Sequence, residues 1–347
     1  MKIADLMKSK KDVTIGYIGG SVTEGREYSD VFTAYLKETY PENTITEVNA
    51  GVGGTTSFLG VYRSERDLFS YKPDIVLIEF SLNDNQTKPE FDYSIFGRTV
   101  EGLIRKALKL NENMIIIQFG ITSTPLEENF FSKGINPQSH EVHMKVAKHY
   151  NIPYINAGKI IHDNIVKNND DISTFWNDTC HPNKKGGKAY ADILIDSLKD
   201  YDWNINKNAG PLYDNNLENA QLLMGKDYKN DNWKVSKCTL YGKLPDYIYC
   251  NKPGAEVEID FYGSAIGIYC TTEKDSGILE YSIDGGEWVK VSTWDNYCLS
   301  FNRAHNYIFD SNLEKKTHKL VVRVCEEKDE DSEGTYIRIG AFLGEVK

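Results

Sequence analysis

Five strand-like runs, most of them continuously apolar, alternate with helix-like segments between residue 13 and about residue 200, and this alternation most limits how the chain can fold. The runs are "VTIGYIGG", "ITEVNAG", "DIVLIEFS", "MIIIQFG" and "PYINAG". Between and after them lie "SDVFTAYLKETY", "FGRTVEGLIRKALKL", "HEVHMKVAKHY" and "KKGGKAYADILIDSLKD". A strand that is apolar at consecutive positions must be covered on both faces. Strand, helix, strand in this rhythm predicts a parallel sheet with right-handed crossovers. Ligands of such sheets bind beyond the carboxyl ends of the strands, so that is where functional side chains are sought.

After residue 200 the pattern changes. The stretch "YDWNINKNAGPLYDNNLENAQ" is rich in Asn and Asp and weakly periodic, which reads as a linker. From about residue 231 the runs are short and alternate with period two. In "AEVEIDF", Ala255, Val257, Ile259 and Phe261 fall on one face and the acids on the other. "SIDGGEW" places Asp-Gly between two strand-like runs, a hairpin signal. Many short strands with turn signals predict a β-sandwich. The expected organisation is an α/β domain over residues 1–205, a linker over 206–230 and a β-sandwich over 231–347. A chain of 347 residues has room for two domains.

The bulk numbers exclude some partners. With 40% hydrophobic and 26% charged residues the composition is that of a globular protein. A net charge of −11 argues against nucleic acid and anionic membrane, and is compatible with a neutral ligand such as a sugar. No apolar run approaches the roughly 18 residues of a membrane helix, and the N-terminus lacks the pattern of a signal peptide. The expectation is therefore a cytoplasmic protein with reduced, mostly buried cysteines. Cys180, Cys238, Cys250, Cys270, Cys298 and Cys325 include no CxxC pair, which argues against a zinc site. His140 and His143 share a helical face but have no third ligand at suitable spacing, so they read as ordinary helix residues rather than a metal centre. The composition leaves homo-oligomerisation open.

Several strand ends carry residues fit for acyl transfer. In "YIGGSVTEG", Ser21 follows the first strand and two glycines, where it serves either as a helix cap or as a nucleophile on a sharp strand-to-helix turn. In "NDTCHPN", Asp178 lies three residues before His181, so its carboxylate can fold back to one imidazole nitrogen and leave the other free; a polar surface turn is the competing reading. "NAGVGGTTS" is a glycine-rich turn whose N–H groups can face a ligand or simply close a βα connection. "SLNDN" offers the Asn83 amide, with Asp84 able to brace the loop, although Asn and Asp are also frequent in such loops.

The four segments together, in the order Ser, Gly, Asn, Asp-x-x-His, resemble the SGNH or GDSL-like hydrolases over residues 13–200. The resemblance implies a flavodoxin-like three-layer αβα fold with a five-stranded parallel sheet. It makes Ser21 the nucleophile, Asp178 and His181 the other triad members, and Ser21, Gly54 and Asn83 the oxyanion hole, with no cofactor or metal. One departure stands out: Gly20 occupies the position that is usually Asp in the Gly-Asp-Ser block, a variant similar to that of sugar esterases in this superfamily. The two-part layout resembles intracellular mannan-oligosaccharide acetylesterases of carbohydrate esterase family 17. There the second part is a family-35 carbohydrate-binding module, a jelly-roll sandwich that helps enclose the substrate.

This likeness implies a carbohydrate O-acetylesterase acting on acetylated oligosaccharides of mannan or xylan type. The alternatives are a short-chain lipase or thioesterase with the same triad, and a non-catalytic sugar-binding protein. Trp176, just before Asp178, and the pair Trp294 and Asp295 in "GGEWVKVSTWDNYC" are candidate sugar contacts; core packing is the competing reading for both tryptophans. Trp288 in the same stretch reads as a hairpin-strand residue.

Overall fold

The computed structural model describes residues 1–85, 92–238, 240 and 243–346. The chain divides into two compact units, Met1–Glu218 and Asn219–Lys347.

The first unit is built on five parallel strands: β1 (Asp12–Gly19), β2 (Thr44–Gly51), β3 (Ile75–Glu79), β4 (Ile115–Gly120) and β5 (Tyr154–Asn156). Their order is β2-β1-β3-β4-β5, the flavodoxin-like arrangement. The chain adds β2 on one side of β1 and β3 on the other, so the crevice opens at the carboxyl ends of β1 and β3. The helices are α1 (Ile3–Ser9), α2 (Ser21–Gly25), α3 (Ser29–Thr39), α4 (Ser57–Asp67), α5 (Ser94–Leu110), α6 (Thr124–Asn129), α7 (Gln138–Tyr150), α8 (Ala157–Asn168) and α9 (Lys184–Leu198). One face of the sheet, with Ile15, Tyr17, Leu77 and Ile117, shares a core with Phe32 of α3 and Tyr190 and Leu194 of α9. Helix α5 packs against α4 on one side and α7 on the other. This double cover is the reason for the unbroken apolar runs. The last run, "PYINAG", is strand only over β5, because Asn156 caps α8 by accepting the Lys159 N–H at 3.0 Å.

The stretch expected to be a linker is divided between the two units. Leu212 and Tyr213 donate their N–H groups to the Glu101 carboxylate of α5 at 2.5 and 2.9 Å. Arg98 Nε donates to the Asn215 carbonyl at 2.9 Å, and Arg105 pairs with Glu218 at 2.6 Å. Polar bonds thus help hold the residues up to 218, alongside the buried Trp203 and Leu217, and the segment carries no periodic apolar pattern.

The second unit is antiparallel. Its strands are β6 (Ala220–Met224), β7 (Lys234–Lys237), β8 (Asp246–Cys250), β9 (Glu256–Thr272), β10 (Ile278–Ile283), β11 (Val289–Ser292), β12 (Arg303–Asp310), β13 (Lys316–Val324) and β14 (Ile337–Glu345). Strand β9 runs for 17 residues and turns a corner at Gly263, whose φ is +135°. Before the corner β9 pairs with β13; beyond it, with β12 and, over residues 267–270, also with β14. The inward set switches phase there, from Val257, Ile259 and Phe261 to Ile266, Ile268 and Cys270, and both sets enter one core. This is a sandwich whose two layers share a strand. The Asp-Gly hairpin forms as read: Asp284 and Gly285 have φ of 52° and 72°, and Gly286 N–H returns to the Ile283 carbonyl at 2.9 Å.

All six cysteines are free thiols; Cys250, Cys270, Cys298 and Cys325 are buried, and Cys180 and Cys238 are half-buried. Among the described residues no helix is long and apolar enough to cross a membrane.

Candidate active site

Ser21 sits just beyond β1, as the first residue of α2, with Gly20 in the cap position and no side-chain cap bond. Its hydroxyl is therefore not engaged as a helix cap. Ser21 Oγ lies 2.8 Å from His181 Nε2, although 160 residues separate the two. His181 Nδ1 in turn lies 2.6 Å from Asp178 Oδ2. The other Asp178 oxygen accepts the N–H groups of Cys180 and His181, both at 2.8 Å. Partial burial acts to raise the Asp178 carboxyl, but those two N–H bonds and the imidazole outweigh it and hold the group well below the usual carboxylate range.

The Asp178–His181 loop is fixed from both ends. Asn177 N–H donates to the His181 carbonyl at 2.8 Å, and Thr124 N–H to the Thr179 carbonyl at 2.8 Å. Asn183 caps α9 through the N–H groups of Lys185 and Gly186 at 2.9 and 3.1 Å. The chain before the loop is anchored by Trp176, which is buried and packs on Tyr190 with ring centroids 5.7 Å apart. Trp176 is thus part of the first unit's core.

Two further loops approach Ser21. After β2, a Cβ placed on Gly53 would come within 3.4 Å of Ser21 Cβ, so this turn runs beside the serine. Gly53 N–H is held by Glu24 Oε2 at 2.8 Å, and Gly54 follows in the left-handed region, φ +68°. After β3, Asn83 lies against the Gly20 backbone. A Cβ on Gly20 would meet Asn83 Oδ1 at 2.2 Å and Nδ2 at 3.1 Å. The backbone angles of Gly20, φ −85° and ψ −150°, are open to any residue, so the glycine is set by space for Asn83.

Among the described residues the Asn83 loop is tied to α4, to α7 and to the chain after β4. Asp84 N–H donates to the Phe80 carbonyl at 2.8 Å. Asp84 Oδ1 accepts the Ser57 N–H at the start of α4, and Oδ2 lies 2.8 Å from His143 Nε2 on α7. Ser139 Oγ of the same helix donates to the Ser81 carbonyl at 2.7 Å, and Ile121 N–H donates to Ser81 Oγ at 3.2 Å.

The sequence reading took His143 as an ordinary packed or surface residue and missed this bond. The available signal was a histidine on the same face as Val146, Ala147 and Tyr150, all buried. His140 on that face donates Nε2–H to the Ile121 carbonyl at 3.0 Å. Burial, then the neighbouring His143, lowers its pKa to about 3, so it is a neutral core histidine.

Reading also missed Glu79, buried at the end of β3 beneath the Ser21 turn, where it accepts the Thr23 hydroxyl at 3.1 Å. Burial pushes its carboxyl up to about 8; the Thr23 bond opposes this and the Asp84 charge adds to it.

In the second unit, Trp294 is half-buried, and Asp295 pairs with Arg303 and accepts the Tyr297 N–H at 3.0 Å. Trp288 is partly exposed, with the Arg323 guanidinium 3.7 Å from its ring centre.

The model of the GDSL-like Lipase/Acylhydrolase family matches residues 17–189. No curated protein matches the sequence. Among solved structures, a two-domain esterase (CEX) active on acetylated mannans, co-crystallized with mannopentaose, is similar over 99% of this chain and 94% of its own, with TM-score 0.80 and 23% identity. A second structure of such an esterase gives TM-score 0.78 at the same identity and coverage. At that identity the likeness is one of fold, and it extends through both units.

Proposed function

Residues 17–189 belong to the GDSL-like lipase/acylhydrolase family, and from that premise we propose that the chain is a serine esterase removing O-acetyl groups from acetylated oligosaccharides. The observation that carries the proposal is the line of bonds from Ser21 Oγ to His181 Nε2 and from His181 Nδ1 to Asp178.

In this reading His181 takes the Ser21 proton as Oγ attacks the ester carbonyl. Asp178 holds the imidazole in the tautomer that leaves Nε2 free to accept, and stabilises the imidazolium. The oxyanion is received by the N–H groups of Ser21 and Gly54 and by the Asn83 amide. The first-turn N–H of a helix has no partner within the helix, so the Ser21 N–H is available for this role. His181 then protonates the leaving sugar hydroxyl, and water, activated by the same imidazole, releases acetate from Ser21.

The substrate class rests on the shared two-unit layout with an esterase active on acetylated mannans. Sugars present C–H faces that stack on exposed rings. Tyr297 and Phe301 of the second unit, 61% and 53% exposed with ring centroids 6.1 Å apart, offer such faces, in keeping with a carbohydrate-binding role for that unit.

Mass spectrometry of acetylated manno- and xylo-oligosaccharides, before and after treatment, tests the proposal. Loss of acetyl with the wild-type chain and none with Ser21→Ala is the expected result. A p-nitrophenyl series separates the rival class: preference for octanoyl over acetyl would point to a lipase instead.

A further inference from the structure

Among the described residues one group of side chains is arranged to hold a metal ion: Asp178, Cys180 and His181, whose ligand atoms all lie within 4.8 Å of one another. We propose that this loop also binds a thiophilic divalent cation such as Zn²⁺, and that the bound ion blocks the esterase by taking His181 Nδ1 away from Asp178.

The geometry favours the ion at two of the three ligands as they stand. Cys180 Sγ lies 3.6 Å from His181 Nδ1. In a tetrahedral zinc site, Zn–S near 2.3 Å and Zn–N near 2.05 Å put those two atoms about 3.5 Å apart. The Asp178 oxygen, 2.6 Å from Nδ1, has to withdraw by about 0.7 Å to reach the spacing of two ligands on one zinc. Its side chain is 53% exposed, so the pivot meets no packed neighbour and works only against the two N–H bonds from Cys180 and His181 to its other oxygen. All three ligands come from four consecutive residues whose backbone is already fixed by bonds to Thr124 and within the loop, so little order has to be created on binding. The same exposure provides the entry path, and water completes the coordination.

The consequence for the imidazole follows from where its proton can reside. Ligation releases the Cys180 thiol proton to solvent. The metal occupies the Nδ1 lone pair, so the neutral ring carries its one proton on Nε2, the atom facing Ser21 Oγ. An Nε2 that bears a proton cannot accept the serine's. The binding stands on the loop alone; the inhibition rests on the esterase reading given above.

The test uses the full chain, wild type and Cys180→Ser, with Cys180→Ala as a second variant in case the first folds poorly. Co²⁺ is the spectroscopic probe, because a thiolate ligand gives it a charge-transfer band in the near ultraviolet. The wild type should show that band and the variants should not. In p-nitrophenyl acetate hydrolysis, with each protein compared to its own rate in EDTA, Zn²⁺ should inhibit the wild type reversibly. The midpoint should move at least tenfold higher without the thiol, the scale on which lost ligand support weakens metal sites. Equal Zn²⁺ midpoints in wild type and variants, or no thiolate band in the wild type, would overturn the site. A band that depends on Cys180 in a chain with no hydrolysis would uphold the site and count against the esterase reading alone.

Discussion

His143 Nε2 lies 2.8 Å from Asp84 Oδ2, and both side chains are buried, on α7 and on the loop that carries Asn83. Because the other Asp84 oxygen holds the Ser57 N–H at the start of α4, this one carboxylate ties the Asn83 loop to the helix that follows the Gly53–Gly54 turn. Both proposed oxyanion loops therefore depend on it. His143→Leu should cost about 1–3 kcal/mol of stability by leaving the buried Asp84 Oδ2 without its hydrogen-bond partner. It should also lower kcat with little change in KM. His143→Gln, which keeps a donor at comparable reach, should recover most of both. Thermal unfolding and steady-state kinetics on the three proteins check this; a Leu variant with reduced stability but full kcat would show that the pair does not act on Asn83.

The contact between Gly20 and Asn83 gives a sharper test of the oxyanion assignment. Since a Cβ at position 20 would lie 2.2 Å from Asn83 Oδ1, Gly20→Ala should displace the amide without straining the backbone. Its effect should approach that of Asn83→Ala, a loss of about 2.7–4 kcal/mol of transition-state stabilisation seen mainly in kcat. The double variant should then be no worse than either single one. Additive losses would place the effect of Gly20 somewhere other than Asn83.

The parts of the molecule legible in sequence are those in which a local pattern reports a local cause. Double-sided cover gave β1, β3 and β4 their apolar runs, half-burial gave Ala255 to Phe261 their alternation, and φ > 0 at two successive residues put Asp284-Gly285 in the hairpin. Ser21 and His181 were legible because strand ends and loop chemistry mark them separately. Features that depend on chain crossing were not. Strand β9 reads as two runs because its core face changes phase at Gly263. Residues 206–218 read as a linker because their partners lie far off in sequence: Glu101, more than a hundred residues earlier, accepts the Leu212 and Tyr213 N–H groups. The partner of His143 lies 59 residues away and leaves no trace in the helix pattern beyond a histidine among apolar neighbours.

Glu79 should make stability depend on pH in a direction opposite to that of a paired carboxylate. Its folded pKa is raised to about 8, chiefly by burial. Below the ordinary glutamate value both states hold the proton and the group adds no slope. As pH rises from about 4.5 towards 8, the unfolded chain ionises while the folded chain keeps its proton, so stability falls by up to about 1.4 kcal/mol per pH unit. Glu79→Gln, an amide that keeps a donor in place of the acid O–H, should flatten this slope and become the more stable protein by up to about 3 kcal/mol between pH 5 and 7. Asp178, held low, contributes in the opposite sense and only below its ordinary range, outside this window. Denaturant unfolding of both proteins at pH 5, 6 and 7 measures the difference; parallel slopes would mean that Glu79 ionises normally in the fold.

Arg63 joins the carboxyl ends of the two strands from which the Ser21 turn and the glycine turn begin. Its guanidinium is fully buried, with Nη1 donating to the Ala50 carbonyl at 2.6 Å and Nη2 to the Gly19 carbonyl at 3.2 Å, while Asp67 balances the charge at 3.2 Å. A planar fork reaches both carbonyls at once, whereas an ammonium is a single point on a flexible stem. Arg63→Lys should therefore lose one of these two bonds, costing about 0.5–1.5 kcal/mol, since the Gly19 carbonyl still accepts the Val52 N–H at 3.1 Å. Because Gly19 stands two residues before Ser21, the relaxation should also move the hydroxyl relative to His181. A shift of about 1 Å at reacting atoms is worth on the order of 10²-fold in rate. Paired measurement of unfolding free energy and kcat decides whether both effects occur. Lost stability with an unchanged rate would show that the nucleophile turn holds its own geometry without the strand ends being tied together.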